Sequence, residues 1–276
     1  MKYFLINLLL WITILPGYTQ NQVLVSPEGK TMVTIFTEGD LSYSVKHNDG
    51  TILEKSPLTM KVGEEDWGVS SKVLRVDRQF INDTITYTVP RKNKKASDQY
   101  NKLILTYKDF RVEFRAYNDG IAYRFSGRKD LVRPVYRETV CYNFPENYKT
   151  YTLLTGKLQN WFEENYTIRN IEELPVDSFS ITPVMVCAGS CKLLLGEANL
   201  NNYPGMYLQP AGKSFKGLFA NYPLKEELLE DGNKLYAAER EDYLVETNLN
   251  RSFPWRVMGI FEKDSDILSS DLVYLL

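Results

Sequence analysis

Carboxylates are the reactive groups that recur in this 276-residue sequence, and four of their pairings are of adjacent glutamates: Glu64-Glu65, Glu163-Glu164, Glu172-Glu173 and Glu226-Glu227. Two carboxylates held roughly 5 to 10 Å apart across a glycosidic bond can hydrolyse it. Neighbours along a strand point to opposite faces, so adjacency does not build such a pair, and these acids read as solvated edges. Nucleophilic triads find no footing. There is no Gly-x-Ser-x-Gly elbow, and the single histidine, His47, falls in the turn His47-Asn48-Asp49-Gly50. One histidine also argues against zinc and against the histidine acid of a mutarotase-type epimerase. Lys263-Asp264-Ser265-Asp266 begins like a calcium loop but lacks its glycine and its closing glutamate. It is expected to be a helix-capping turn, with Asp264 or Ser265 as the cap.

Two segments have richer chemistry. In Asn160-Trp161-Phe162-Glu163-Glu164-Asn165-Tyr166, aromatic rings alternate with carboxylates and amides. Rings stack on the C–H faces of sugars while polar groups take the hydroxyls. A loop whose Trp161 plugs the edge of a fold reads equally well. Glu197 closes the apolar run Leu193 to Gly196 and precedes Asn199, Asn202 and Tyr203-Pro204-Gly205. A strand-end carboxylate beside amide oxygens suits one ligand of a hard cation, but calcium takes six to eight oxygens. By itself Glu197 reads as an ordinary surface acid.

The elements that must position these residues are strands. Nineteen Tyr, thirteen Phe and four Trp suit pleated surfaces. Period-two alternation predicts strands at 31–36, 41–47, 51–54, 72–80, 85–89, 102–107, 111–117, 121–125, 180–187, 192–197, 205–209, 215–220, 242–246 and 255–261. Asn48-Asp49-Gly50, Asn82-Asp83 and Asn118-Asp119-Gly120 are the expected turns between them, and 90–99 an exposed loop. Helical expectation is confined to Pro223–Glu230 and Asp266–Val273. Short strands without intervening helices predict an all-β fold, a large antiparallel two-sheet sandwich. The absence of regular strand-helix alternation excludes a (β/α)₈ barrel within this sequence.

Residues 1–19 read as a cleavable export signal: Lys2, an apolar run from Phe4 to Leu15, then Pro16-Gly17 and small residues before Gln20. The run is too short to span a bilayer core of about 30 Å. The expected mature domain is 20–276, secreted or periplasmic, with no membrane segment after cleavage. Cys141, Cys187 and Cys191 are an odd number, which argues against a disulfide framework. A Cys187–Cys191 bridge across Ala188-Gly189-Ser190 is sterically conceivable, but these residues read as small apolar thiols. Net charge is −2, from 33 basic and 35 acidic residues, without a basic stripe, which excludes a nucleic-acid partner. Ser269 to Leu276 is apolar, lacks a closing cap, and reads as the entrance to a further structural element.

Ser26 to Lys30 (SPEGK), Phe114 to Phe125 (FRAYNDGIAYRF), Gly196 to Leu208 (GEANLNNYPGMYL) and Ser252 to Leu276 (SFPWRVMGIFEKDSDILSSDLVYLL) together resemble the N-terminal domain of glycoside hydrolase family 97. The resemblance implies a galactose-mutarotase-like super-β-sandwich with one or two short helices. It further implies a three-part α-glucosidase or α-galactosidase that uses calcium, whose catalytic carboxylates lie on a (β/α)₈ barrel absent from this chain. Its substrates are α-linked oligosaccharides. Residue by residue, Glu197 matches the one calcium ligand lent by this domain, and Leu218-Phe219-Ala220 matches a strand that approaches substrate. Trp161, Glu164 and Tyr166 are expected to line the same mouth. The alternative is a free-standing sugar-binding module.

Overall fold

The structure is a computed structural model that describes residues 21–89, 92–159, 162–229 and 232–276. Alternation produces the strands as expected. Thr31–Phe36 buries Thr31, Val33 and Ile35 and leaves the residues between them half-buried. Eighteen strands of the described residues are hydrogen-bonded into one sheet, and two more form a separate ribbon.

The large sheet folds back on itself as two layers. One layer runs Arg75–Thr86, Lys95–Thr106, Phe110–Tyr117, Gly120–Gly127, Trp255–Phe261, Cys191–Ala198, Phe179–Ala188, Lys149–Thr155 and Thr167–Asn170. The other runs Gln22–Val25, Thr31–Phe36, Ser42–His47, Gly50–Val62, Val132–Asn143, Ser214–Phe219 and Met206–Ala211. All of these pairings are antiparallel. Phe179–Ala188 belongs to both layers: Val184 to Ala188 pair with Cys191–Ala198, while Ser180 and Ile181 pair with Leu208 and Tyr207. Pro183, which has no N–H to donate, sits at the switch. The core lies between the layers, where Leu103, Leu105, Val112 and Phe114 meet Val33, Ile35, Tyr43 and Val45. Tyr43 packs edge-on to Tyr123 and tilted against Phe114, with centroids 5.4 and 6.0 Å apart.

A second apolar cluster covers the outer face of the first layer: Tyr100, Tyr117, Ala122, Ala198, Trp255, Val257 and Leu272. The C-terminal segment straps over it through the helix Asp264–Ser269 and a 3₁₀ turn at Leu272–Tyr274. Ser270 Oγ donates to Asp119 Oδ2 at 2.6 Å, and Trp255 Nε1 donates to the Leu276 carbonyl at 3.0 Å. Two of the motifs singled out above, FRAYNDGIAYRF and the C-terminal one, are therefore the two halves of one packed contact. No helix of the described residues is long and apolar enough to cross a membrane. Residues 1–19 lie outside the described residues.

Several expectations need correction. Pro223–Leu228 is a strand paired with Leu235–Arg240, not a helix, because its hairpin partner supplies the ladder and Gly232 turns the chain at φ +68°. Asn82-Asp83 makes no turn: the strand Arg75–Thr86 runs through it, with Asn82 opposite Gln99 and Asp83 opposite Asp98. Polar residues there mark an exposed strand, and part of the loop expected at 90–99 is its partner. His47 does open the expected turn, pairing with Gly50 across Asn48-Asp49, but it is buried. It ends its strand at 6% exposure, with Nδ1 2.9 Å from Thr31 Oγ1 and Nε2 3.4 Å from Glu262 Oε1. The helix at Asp264 is capped at Lys263 without a side-chain bond, and Asp264 instead pairs with Lys192. The three cysteines are free. Cys191 faces inward opposite Ala188, whereas Cys187 lies opposite Lys192 on the other face of the hairpin.

Candidate functional site

Glu197 stands one residue before the end of Cys191–Ala198, on the inward row of Cys191, Leu193 and Leu195. The row changes from aliphatic to charged because Arg256 stands opposite it in the ladder. Arg256 belongs to Trp255–Phe261, a strand buried at every position. A guanidinium there requires partners for its N–H groups, and two acids supply them. Nε donates to Glu138 Oε1 at 2.7 Å and Nη2 to Glu138 Oε2 at 2.6 Å. Nη1 donates to Glu197 Oε2 at 2.6 Å. Side-chain exposure rises outward, from 1% at Arg256 and 3% at Glu138 to 12% at Glu197. Two acids and one base leave the triad with one net negative charge, and its outward end is Glu197.

Desolvation opposes the charge on Arg256, but Glu138 and then Glu197 outweigh it and raise its pKa. Burial likewise holds the Glu197 carboxyl above the usual carboxylate range, with Arg256 and the Met206 N–H pulling against it. The hydroxyls of Tyr123 and Tyr142 are buried and find no hydrogen-bond partner among the described residues.

The loop after Glu197 wraps its carboxylate. Asn199 and Asn202 take left-handed conformations, φ +54° and +43°, which asparagine tolerates better than most residues. Gly205 follows beside the carboxylate, where a Cβ would stand 3.4 Å from Glu197 Oε1, an ordinary contact distance. The Met206 N–H donates to the same oxygen at 3.0 Å. The ladder partner of Met206 is Phe219, and that of Tyr207 is Leu218. The Arg256 guanidinium lies 4.9 Å from the Phe219 ring centroid and 5.8 Å from that of Tyr203. Tyr203 meets Phe219 edge-on at 6.2 Å. Ala220 and Tyr203 border an adjoining cavity of about 470 Å³, together with Tyr222 and Arg240.

The structure thus brings Glu197 and Phe219 into one cluster, with Ala220 on the adjoining cavity and Leu218 on the opposite face of the strand from Phe219. Glu164 and Tyr166 are exposed, and no hydrogen bond or ring contact joins them to it. Trp161 lies outside the described residues. Sequence reasoning missed Arg256, Glu138 and Tyr203. The signal for Arg256 was present: a lone charge in the apolar run Trp255 to Phe261 requires a buried partner. Glu138 had none, because Tyr136-Arg137-Glu138-Thr139 reads as solvated.

Among the described residues, no group of three or more His, Cys, Asp or Glu is placed to hold a metal ion. Each Glu197 oxygen already takes one N–H and keeps a further lone pair. The space left by the missing Gly205 side chain adjoins Oε1. Glu197 therefore fits one ligand of a hard cation, and the rest of a six- to eight-oxygen shell has to come from elsewhere.

These features define an all-β, two-layer sandwich domain with a buried ion triad opening at its edge. The family model described as Glycosyl-hydrolase 97 N-terminal matches residues 24–276, and the chain belongs to that family. It is 31% identical over 268 residues to a retaining α-galactosidase of Bacteroides thetaiotaomicron, covering 92% of this chain and 40% of that protein. A glycoside hydrolase family 97 enzyme from Pseudoalteromonas sp. strain K8, solved with acarbose, shares the fold with TM-score 0.78 at 19% identity. That match covers 92% of this chain and 38% of the enzyme. A β-arabinopyranosidase crystal structure matches with TM-score 0.73 at 21% identity, over 88% and 40% of the two chains. The chain spans about two fifths of the length of these relatives.

Proposed function

We propose that this chain is the N-terminal domain of an exported α-glycosidase. In that role it walls one side of a sugar pocket with Leu218-Phe219-Ala220 and presents Glu197 to a calcium ion. A separate catalytic domain completes the ion's shell and carries the acids that cleave the bond. The observation that carries this reading is the placement of Glu197: a partly exposed carboxylate, fixed by Arg256 and the Met206 N–H, beside the strand that contains Phe219. When bound, calcium would polarise a sugar oxygen. This chain's residues orient one ligand for it and shape the wall beside it. An α-linked gluco- or galacto-oligosaccharide is the substrate class. Residues 1–19 act as the export signal, giving a secreted or periplasmic product with no membrane or nucleic-acid partner.

Two experiments test the reading. An uninterrupted barrel-coding frame downstream of Leu276 supports it, and intergenic sequence there opposes it. In the full-length translation product, E197Q should lower turnover of aryl α-galactoside or α-glucoside and make it insensitive to chelator. Unchanged, chelator-sensitive turnover in E197Q would remove Glu197 from the site.

A second reading has its own observation. Phe162 and Tyr166 are 53% and 61% exposed beside Glu163 and Glu164, which suits a free-standing sugar-binding surface. Isothermal titration of the chain with α-gluco- and α-galacto-oligosaccharides separates the two, since a free-standing module gives heat at millimolar sugar.

A further inference from the structure

Arg256 presents a problem of charge. A guanidinium 2.6 Å from the proposed cation ligand would, alone, cancel the negative charge that attracts a cation. The structure holds a second acid on the far side of that guanidinium. Glu138, from Val132–Asn143 in the opposite layer, grips Arg256 through two parallel bonds and is the more buried of the two acids. Bidentate pairing is the strongest that a guanidinium makes. Glu197 takes only the third N–H.

We propose that Glu138 is a positioning residue for Glu197: it neutralises Arg256, so that Arg256 aims the Glu197 carboxylate without cancelling its charge. This rests on the reading of Glu197 as a cation ligand. The two layers of the sandwich then have a joint task. One layer carries Glu197 and Arg256, the other carries the counter-charge, and the net charge of −1 is available at the outward end. Groups behind a ligand of this kind commonly alter metal affinity by about ten- to a hundredfold.

The test is Ca²⁺ affinity by isothermal titration calorimetry on the full-length translation product, with folding checked by circular dichroism. E138Q leaves the triad neutral and should weaken Ca²⁺ binding by about ten- to a hundredfold. E138Q/R256Q restores the net charge of −1 and should recover most of that loss, although it removes one more buried interaction. A merely structural Glu138 predicts the opposite order, with the double variant at least as weak as the single. E138Q binding Ca²⁺ like the wild type, while E197Q does not bind, overturns the proposal and leaves Glu197 as a ligand. E197Q binding like the wild type removes the reading beneath it. Should E138Q fail to fold, the double variant decides: affinity near the wild type supports the proposal, and loss matching E197Q overturns it.

Discussion

The backbone N–H of Met206 donates to Glu197 Oε1 at 3.0 Å, and Met206 is the ladder partner of Phe219. One amide thus couples the proposed ion ligand to the strand proposed to face substrate. The coupling is built by the loop between them, through Asn199 and Asn202 in left-handed conformations and Gly205 beside the carboxylate.

Arg256 is also a stability determinant. R256M leaves Glu138, 3% exposed, as a buried acid without its cation. Breaking a buried pair from one side costs about 3–5 kcal/mol. Urea denaturation of the 20–276 chain should show a loss of that size, and a loss below about 1 kcal/mol would mean that the triad relaxes into water.

The sandwich itself was legible in the sequence, and the triad was only half so. Strands such as Thr31–Phe36 and Trp255–Phe261 follow from apolar alternation or apolar runs, because burial of one or both faces leaves that imprint. Gln22–Val25, Val132–Asn143, Lys149–Thr155 and Leu235–Arg240 escaped it because their faces mix polar and apolar residues. Glu138 escaped for a related reason: its partner lies 118 residues away, and only the folded layers bring it to Arg256. Glu197 stood out as a strand-end carboxylate, but its assignment to calcium, like that of Phe219 to substrate, came from resemblance to a family.

The contact between the Asn118-Asp119-Gly120 turn and the C-terminal strap should be intolerant of side-chain growth. A Cβ at Gly120 would stand 2.6 Å from both Leu272 Cδ2 and the Met258 carbonyl. G120A should destabilise the chain by about 1–3 kcal/mol. Limited proteolysis should then release the strap first, whereas uniform cleavage across the chain would show that the contact does not anchor it.

Acid should weaken the corner where Glu262 meets Asn48, Lys30 and His47. Hydrogen bonds from Asn48 and then Lys30 pull the Glu262 carboxyl down to about 2. A depressed carboxylate contributes stability that is complete above its unfolded value and is lost as pH falls through the folded one. The wild-type melting temperature should therefore drop between about pH 4.5 and pH 2 more steeply than that of E262Q. Parallel curves would contradict the assignment.

The hairpin thiols should differ in reactivity. Burial pushes Cys191 up to about 11, whereas Cys187 is half-buried on the opposite face. At pH 8 the native chain should titrate Cys187 with Ellman's reagent well before Cys191, which reacts on unfolding. A Cys187–Cys191 disulfide in the purified protein, seen as a 2 Da mass deficit on intact-mass analysis, would contradict the placement of the two thiols on opposite faces.

In the proposed role this domain orients a ligand and walls a pocket, while bond cleavage belongs to another domain. The two acids at its site, Glu138 and Glu197, are both committed to Arg256. The most direct measurement is turnover of p-nitrophenyl α-galactoside and α-glucoside by the purified 20–276 chain with calcium present. No hydrolysis above buffer is expected. Steady turnover that disappears when one of the chain's own carboxylates is replaced by its amide would contradict it.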